Sequence, residues 1–186
     1  MTPSRSWAKG FVEGEGSFVI SIRKSKSHVF GFQISPVFKI DLHEKDKNVL
    51  EDIRGIYGVG TVRPLSNKRL RDKGINASDQ YRYHLEGIKL CSKLRDEMIK
   101  DPFYSSKEKD FKLWSKIIEL LKEKEHLSIP GFLKVCKIRD KMNVSLSRKH
   151  PTYRDYNWFR EYFSTHTFLR RRWATVSYGV GSAGQI

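Results

Sequence analysis

Apolar side chains recur with two different periods along this chain, and the changes of period mark out its elements. From residue 17 the spacing is two. In SFVISIR, Phe18, Ile20 and Ile22 alternate with Ser17, Val19, Ser21 and Arg23, which predicts a strand with one apolar face. FQISPVFKID repeats the pattern, with Phe32, Ile34, Pro36, Phe38 and Ile40 against Gln33, Ser35, Val37, Lys39 and Asp41. The basic, turn-like KSKSHVFG joins the two runs into a strand pair. Pro36 predicts a bulge or an edge position, because proline has no N–H for a ladder. VGTVRPL predicts a third strand. QYRYHLE predicts a fourth, with Tyr81, Tyr83 and Leu85 inward and Gln80, Arg82, His84 and Glu86 outward.

The other period is helical. Residues 5–13 form a short helix before the first strand. In DKNVLEDIRGIY, Val49, Leu50, Ile53 and Tyr57 share one face, and Gly58 is placed to cap the helix end. SNKRLRDKGINASD reads as a long basic loop, and GIKLCSKLRDEMIKD as an amphipathic helix that stops before Pro102. Ser105 and Glu108 have capping-box spacing. Phe111, Trp114, Ile118 and Leu121 then form a buried stripe, and Pro130 opens another helix carrying Phe132, Val135, Arg139 and Met142. Residues 147–186 read as an appended basic, aromatic segment. It holds one helix near 155–166, the run Arg170, Arg171, Arg172 and the glycine-rich end SYGVGSAGQI. The expected organisation is a domain over 1–146 and an extension over 147–186. The order predicts the α+β class: an antiparallel sheet with helices on one face and a polar, basic opposite face.

Charge gives that polar face a use. Lys and Arg total 36 against 21 Asp and Glu, a net +15, which is an electrostatic footprint for a polyanion. Nucleic acid is the first expectation, an anionic membrane surface the second, and a merely solvated face the bland reading. No apolar run approaches the ~18 residues of a membrane span, and MTPSRSWAKG lacks the apolar stretch of a signal peptide. Cys91 and Cys136 have no CxxC partner and lie in apolar helical patterns, so they read as buried, reduced thiols of an intracellular protein. The histidines have no zinc-site spacing.

The chemistry concentrates in WAKGFVEGEGSF. A helix over 5–13 puts Glu13 and Glu15 at its C-terminus, the end that carries partial negative charge. Two acids there call for a cation or hydrogen-bond donors. Carboxylate oxygens beside an exposed carbonyl suit a hard divalent ion such as Mg²⁺. Gly10 and Gly14, four apart, share a helix face that a second helix can approach closely. Gly16 permits the turn into the strand. Gly14-x-Gly16 follows a helix rather than a strand, which is the wrong order for a dinucleotide turn, and GIYGVG, 55–60, has only the first half of a GIY-YIG signature.

WAKGFVEGEGSF resembles the motif of the LAGLIDADG homing endonucleases. Gly10 through Gly16 fit, and Ala8 and Lys9 depart from the usual leucine and alanine. The resemblance extends through FKIDLHEKDKNVLEDIRGIYGVGTV and DPFYSSKEKDFKLWSKIIELL, covering roughly residues 5–143. It implies the αββαββα LAGLIDADG homing endonuclease fold, with a saddle-shaped sheet. Glu15 is implied as catalytic and as the metal ligand for Mg²⁺, with the Gly14 carbonyl helping and Ca²⁺ supporting binding without efficient cleavage. Lys107 is implied as the catalytic-pocket lysine. Leu42 stands where many relatives carry a glutamine, leaving His43 or Asp41 as substitutes; a basic pocket position falls near Asp46.

One motif implies a homodimer joined through Gly10, Phe11, Glu13 and Gly14. Its expected activity is site-specific cleavage of double-stranded DNA at a partly palindromic target. The freestanding, intron-encoded type is expected, in an organelle or a prokaryotic cytoplasm. Ser21, Arg23, Gln33, Ser35, Lys39, Thr61, Arg63, Arg82 and His84, outward on the four strands, are the expected DNA contacts. The rivals are an RNA maturase that binds intron RNA and a DNA-binding regulator without catalysis.

Overall fold

The computed structural model describes residues 3–76, 78–142 and 153–166. Its elements are α1 (Arg5–Glu15), β1 (Ser17–Lys24), β2 (Phe32–His43), α2 (Lys47–Tyr57), β3 (Thr61–Leu65), α3 (Lys68–Arg71), β4 (Gln80–Glu86), α4 (Ile88–Met98), α5 (Lys107–Lys122), α6 (Ile129–Arg139) and α7 (Tyr156–Thr165). The expected αββαββα order is present, with α3 as a single turn inside the long basic loop. The strands form one antiparallel sheet in the order β1-β2-β4-β3.

The alternation read from the sequence decides what each face of the sheet meets. Phe18, Ile20, Phe38, Ile40, Tyr83 and Leu85 are buried beneath the helices. Phe18 lies 5.1 Å from Phe38, 5.4 Å from Phe111 and 5.1 Å from Trp114, ring centre to ring centre. That cluster fastens α5 to the first strand pair. Leu50, Ile53 and Tyr57 bury the inner face of α2, and Gly58 ends it in the left-handed conformation at φ 65°. Pro36 is not at a bulge. It sits in register opposite Ile20, in a strand flanked by β1 and β4. β4 ends its pairing with Glu86 opposite Val37, so the ladder on that side stops one residue short of Pro36.

Three other expectations are corrected. Gly16 has φ −66° and ψ 143°, which any residue adopts; it is needed because a Cβ there would lie 2.5 Å from the Val12 carbonyl oxygen and 3.1 Å from the Phe38 ring. The capping box at Ser105 does not form as read. α5 begins at Lys107 with Ser106 at the cap position, and the Ser105 hydroxyl instead accepts from the Lys107 N–H at 3.4 Å. Finally, the boundary near 146 does not separate two cores. Phe159 and Phe163 of α7 are buried in the same core as the sheet. Phe159 stands 5.2 Å from Phe32 and 5.1 Å from Phe132, and Phe163 5.4 Å from Phe30. Asp140, just beyond α6, holds the start of α7 by accepting from the Tyr153 hydroxyl at 2.5 Å and the Tyr156 N–H at 2.6 Å. The run Arg170–Arg172 and the glycine-rich end lie outside the described residues.

The rear of α1 is fastened to the segment between α4 and α5 by a row of polar side chains. Arg5, Lys9 and Glu13 follow one another at intervals of four and so share a helix face. Arg5 donates to the Glu97 carboxylate at 3.0 Å, the Glu97 carbonyl at 2.8 Å and the Asp101 carboxylate at 3.1 Å. Lys9, only 4% exposed, donates through Nζ to the carbonyls of Met98 and Asp101, both at 3.0 Å. Its Nζ also lies 3.2 Å from the centre of the Phe103 ring. Glu13 accepts from the Tyr104 N–H at 3.0 and 3.1 Å.

Two stability tests follow from this packing. Phe159→Ala should cost about 3–5 kcal/mol in one cooperative unfolding transition, measured in urea; an independent extension would give two transitions or no change. For Glu13, burial alone would raise the pKa, but hydrogen bonds from Ser105 and Tyr104 and the charge of Lys9 outweigh it and lower it below 4.5. A depressed acid stabilises the fold above its unfolded pKa and stops doing so as pH falls through its folded pKa. Glu13→Gln should therefore cost about 1 kcal/mol near neutrality. The difference from the parent should vanish in strong acid, read by denaturant midpoints across a pH series.

Candidate active site

The last turn of α1 gathers negative potential. Helix carbonyls point out of its end, and Glu13 and Glu15 lie in that same turn. Two kinds of donor answer it. The Tyr104 N–H occupies Glu13, as described. Lys107, first residue of α5, reaches across and donates through Nζ to the carbonyls of Gly14 at 3.2 Å and Gly16 at 2.6 Å. Burial pushes the Lys107 pKa below 10.5, against the opposing pull of Glu15, Asp110 and Glu13. An ammonium has three donors, so two carbonyls leave one for a further acceptor. Glu15 is exposed. The structure thus brings together Glu15, Gly14 and Lys107, with Glu13 turned to the rear.

The opposite side of α1 is uncovered. A Cβ built on Gly10 or on Gly14 meets nothing within 4 Å. Beside them runs an open groove of about 480 Å³ lined by Ser6, Trp7, Gly10, Phe11, Gly14, Glu15 and Leu42. Leu42 therefore does stand near Glu15, presenting a hydrocarbon side chain. Neither proposed substitute is turned to the same task. His43 accepts from the Lys45 N–H at 3.2 Å, and Asp41 belongs to the sheet face.

That face carries the expected contact residues in ordered rows. Arg23 pairs with Gln33 and Ser21 with Ser35. Ser17, Lys39, His84 and Thr61 form a row across all four strands, followed by Asp41, Arg82 and Arg63. Thr61 and Arg63 are exposed. Ser35 is only 5% exposed, too enclosed in this chain to offer a broad contact, which corrects its assignment. Three cations are also engaged. Lys39 Nζ lies 3.5 Å from the Asp41 carboxylate. Arg82 grips Asp41 with two bonds of 2.5 and 2.7 Å, and Arg23 pairs with Glu86. Burial raises and Arg82 and Lys39 lower the Asp41 pKa, with a net fall. Burial, with Arg63 next, lowers that of His84, so His84 offers a neutral ring near pH 7. Sequence alternation found the face but not these pairings, since Asp41 and Arg82 are far apart along the chain and adjacent only through the β2–β4 register.

Among the described residues no group of three or more His, Cys, Asp or Glu could hold a metal by itself. The donor set at α1 is one exposed carboxylate and a neighbouring carbonyl. That fits Mg²⁺ in nucleic-acid enzymes, which takes one or two carboxylates and completes its shell with phosphates and water.

Residues 8–118 match the family described as LAGLIDADG endonuclease. The chain is 32% identical over 143 residues to DNA endonuclease I-CreI of Chlamydomonas reinhardtii, spanning 75% of this chain and 78% of that one. It is 29% identical over 139 residues to probable intron-encoded endonuclease 3 of Neurospora crassa. That match takes in 74% of this chain but only 24% of the fungal protein, so the chain spans about a quarter of the first curated relatives it matches. Among solved structures, the homing endonuclease I-TnaI superposes with a TM-score of 0.69 at 25% identity, over 89% of this chain and 99% of that one. The meganuclease I-CpaMI bound to uncleaved DNA gives 0.67 at 27% identity, over 88% of this chain and 49% of that one. Motif, strand order, helix order and a family match over most of the described fold agree: the chain belongs to the LAGLIDADG endonuclease family.

Proposed function

We propose that this chain is a site-specific, Mg²⁺-dependent endonuclease for double-stranded DNA that works as a homodimer. The observation that carries the reading is the end of α1, where Glu15 is exposed beside the Gly14 carbonyl and Lys107 is already seated. Support for DNA as substrate comes from the +15 charge and the exposed cations of the sheet face, and from relatives solved with DNA bound, such as I-Vdi141I. Support for pairing comes from the uncovered Gly10 and Gly14 face. It comes also from lengths: the chain matches nearly all of I-TnaI and about half of I-CpaMI. A twofold axis along this face would place two Glu15 carboxylates together, one for each DNA strand. An intron-encoded origin agrees with the named relatives.

In this reading Glu15 and the Gly14 carbonyl would hold the metal, with DNA phosphates suited to its remaining positions. The ion supplies Lewis-acid stabilisation of charge on the reacting phosphate oxygens. The chain does the rest. Lys107 directs its remaining N–H at the phosphate, and its lowered pKa brings proton exchange closer to neutral pH. The sheet face sets the register of the duplex. Lys39 and Arg63 meet phosphates or base edges, and Arg82 is presented in the orientation that Asp41 fixes. Leu42 offers no hydrogen bond to ordered water near Glu15, so organisation of the attacking water falls to Lys107 and to bulk-like solvent.

Glu15→Gln should abolish cleavage of a plasmid carrying the target in Mg²⁺ and leave binding, measured in Ca²⁺, unchanged or tighter. Full cutting by this variant would remove Glu15 from the metal site, and binding to folded intron RNA alone would favour the maturase reading. Gly10→Leu should yield monomers in sedimentation, with cleavage lost. A parent protein that is monomeric at concentrations where it cuts would rule out the dimer.

A further inference from the structure

Lys9 is a buried charge that the proposed chemistry does not use. It is 4% exposed, and burial pushes its pKa down to about 8 against the upward pull of Glu13 and Asp101. A buried ammonium seldom repays its desolvation in stability, and apolar replacements of similar volume are often neutral or stabilising. A reason other than stability is therefore needed, and its contacts supply one.

Lys9 does not touch the reacting end of α1. Its Nζ donates to the Met98 carbonyl, in the last residue of α4, and to the Asp101 carbonyl, three residues on. It also sits 3.2 Å from the face of Phe103, a cation–aromatic contact that strengthens with desolvation. Phe103 in turn stacks on Phe111 of α5 at 4.6 Å. These contacts grip residues 98–103, the segment that leads into α5. One helical turn further along α1, Glu13 holds the next backbone N–H, that of Tyr104. The segment then ends at Lys107, which returns to α1 at the Gly14 and Gly16 carbonyls. The chain therefore closes a loop from α1 back to α1, with Lys9 as the innermost clamp.

We propose that Lys9 is a positioning residue: by tying residues 98–103 to the rear of α1, it sets the seat from which Lys107 serves the cleavage site. The importance of that seat rests on the proposed nuclease reading, but the positioning itself does not. Misplacement of a reacting group by about 1 Å can cost about 100-fold in rate. A lysine pinned at one end only by two carbonyls needs its helix held in register to reach them.

The test is Lys9→Met, which keeps the length of the side chain and removes the donors. The fold should be retained, with a melting midpoint equal to or above that of the parent. In a crystal structure of the variant, Lys107 Nζ should be displaced from the Gly14 and Gly16 carbonyls, to which it donates at 3.2 and 2.6 Å in the parent. Single-turnover cleavage of a duplex the parent cuts should fall on the order of 10-fold to 100-fold, with DNA affinity unchanged. In a Lys107→Met background the same change should have no further effect on rate. A folded Lys9→Met protein that keeps Lys107 Nζ within hydrogen-bond distance of both carbonyls overturns the proposal. If Lys9→Met does not fold, Lys9→Gln is read in the same way; if neither folds, Lys9 serves folding and the proposal fails. If the parent cuts no duplex, the nuclease reading fails, and the place of Lys107 in the variant's crystal structure still decides the role of Lys9.

Discussion

The fold is organised around an electrostatic problem at one point, the C-terminus of α1. Unpaired carbonyls and two glutamates in a single turn would repel one another if left to solvent alone. The chain answers with donors brought from far along the sequence: the Tyr104 N–H to Glu13 and the Lys107 ammonium to Gly14 and Gly16. These donors belong to the start of α5, and α5 is held by the Phe18, Phe111 and Trp114 cluster against the first strand. Satisfying the helix end and placing the long helix are therefore one event. Glu15 is what remains exposed, and the site owes its unbalanced charge to that remainder.

The parts of the fold carried by periodicity were legible in the residues. β1 and β4 alternate, and α2, α4, α5 and α6 each carry an apolar stripe, so their burial followed from local spacing. β2 departs from its sequence alternation, because Ser35 and Val37 on its outward parity are buried along with Ile34 and Phe38. α7 reads as a helix from its sequence, but its place in the shared core does not. Its aromatic spacing shows that one face is buried, yet nothing local says that the face meets Phe30 and Phe32 from the first hairpin. At the site, Glu13, Glu15 and Lys107 stood out because acids at a helix end and a matching motif are sequence-local signals. Lys9 did not, because a lysine on a helix ordinarily runs its stem along the surface and keeps its head in water. Its four-residue spacing from Arg5 and Glu13 was the signal available.

The outward face of the sheet is basic but not uniformly so. Asp41 and Glu86 draw two of its arginines into pairs. A face of free cations would bind any duplex by counterion release. Pairing lowers that general attraction and fixes the guanidinium plane of Arg82, which turns a mobile charge into an oriented fork suited to a planar partner. Arg63, directly across from Arg82 in the β3–β4 register and exposed, keeps the looser role.

The aromatic junction between the first hairpin and α7 has a consequence for how the protein is made. Phe30 and Phe32 leave the ribosome well before Phe159 and Phe163, which cover them. Until then the sheet can pair and α5 can dock, but the open end of the hairpin presents bare rings to the cell. A nascent chain in that state has an exposed sticky edge, the kind of surface that aggregates or recruits chaperones. The burden of solubility during synthesis therefore falls on the basic residues around that edge, Lys24 and Lys26 among them, which would keep neighbouring nascent chains apart by repulsion until α7 closes over the rings.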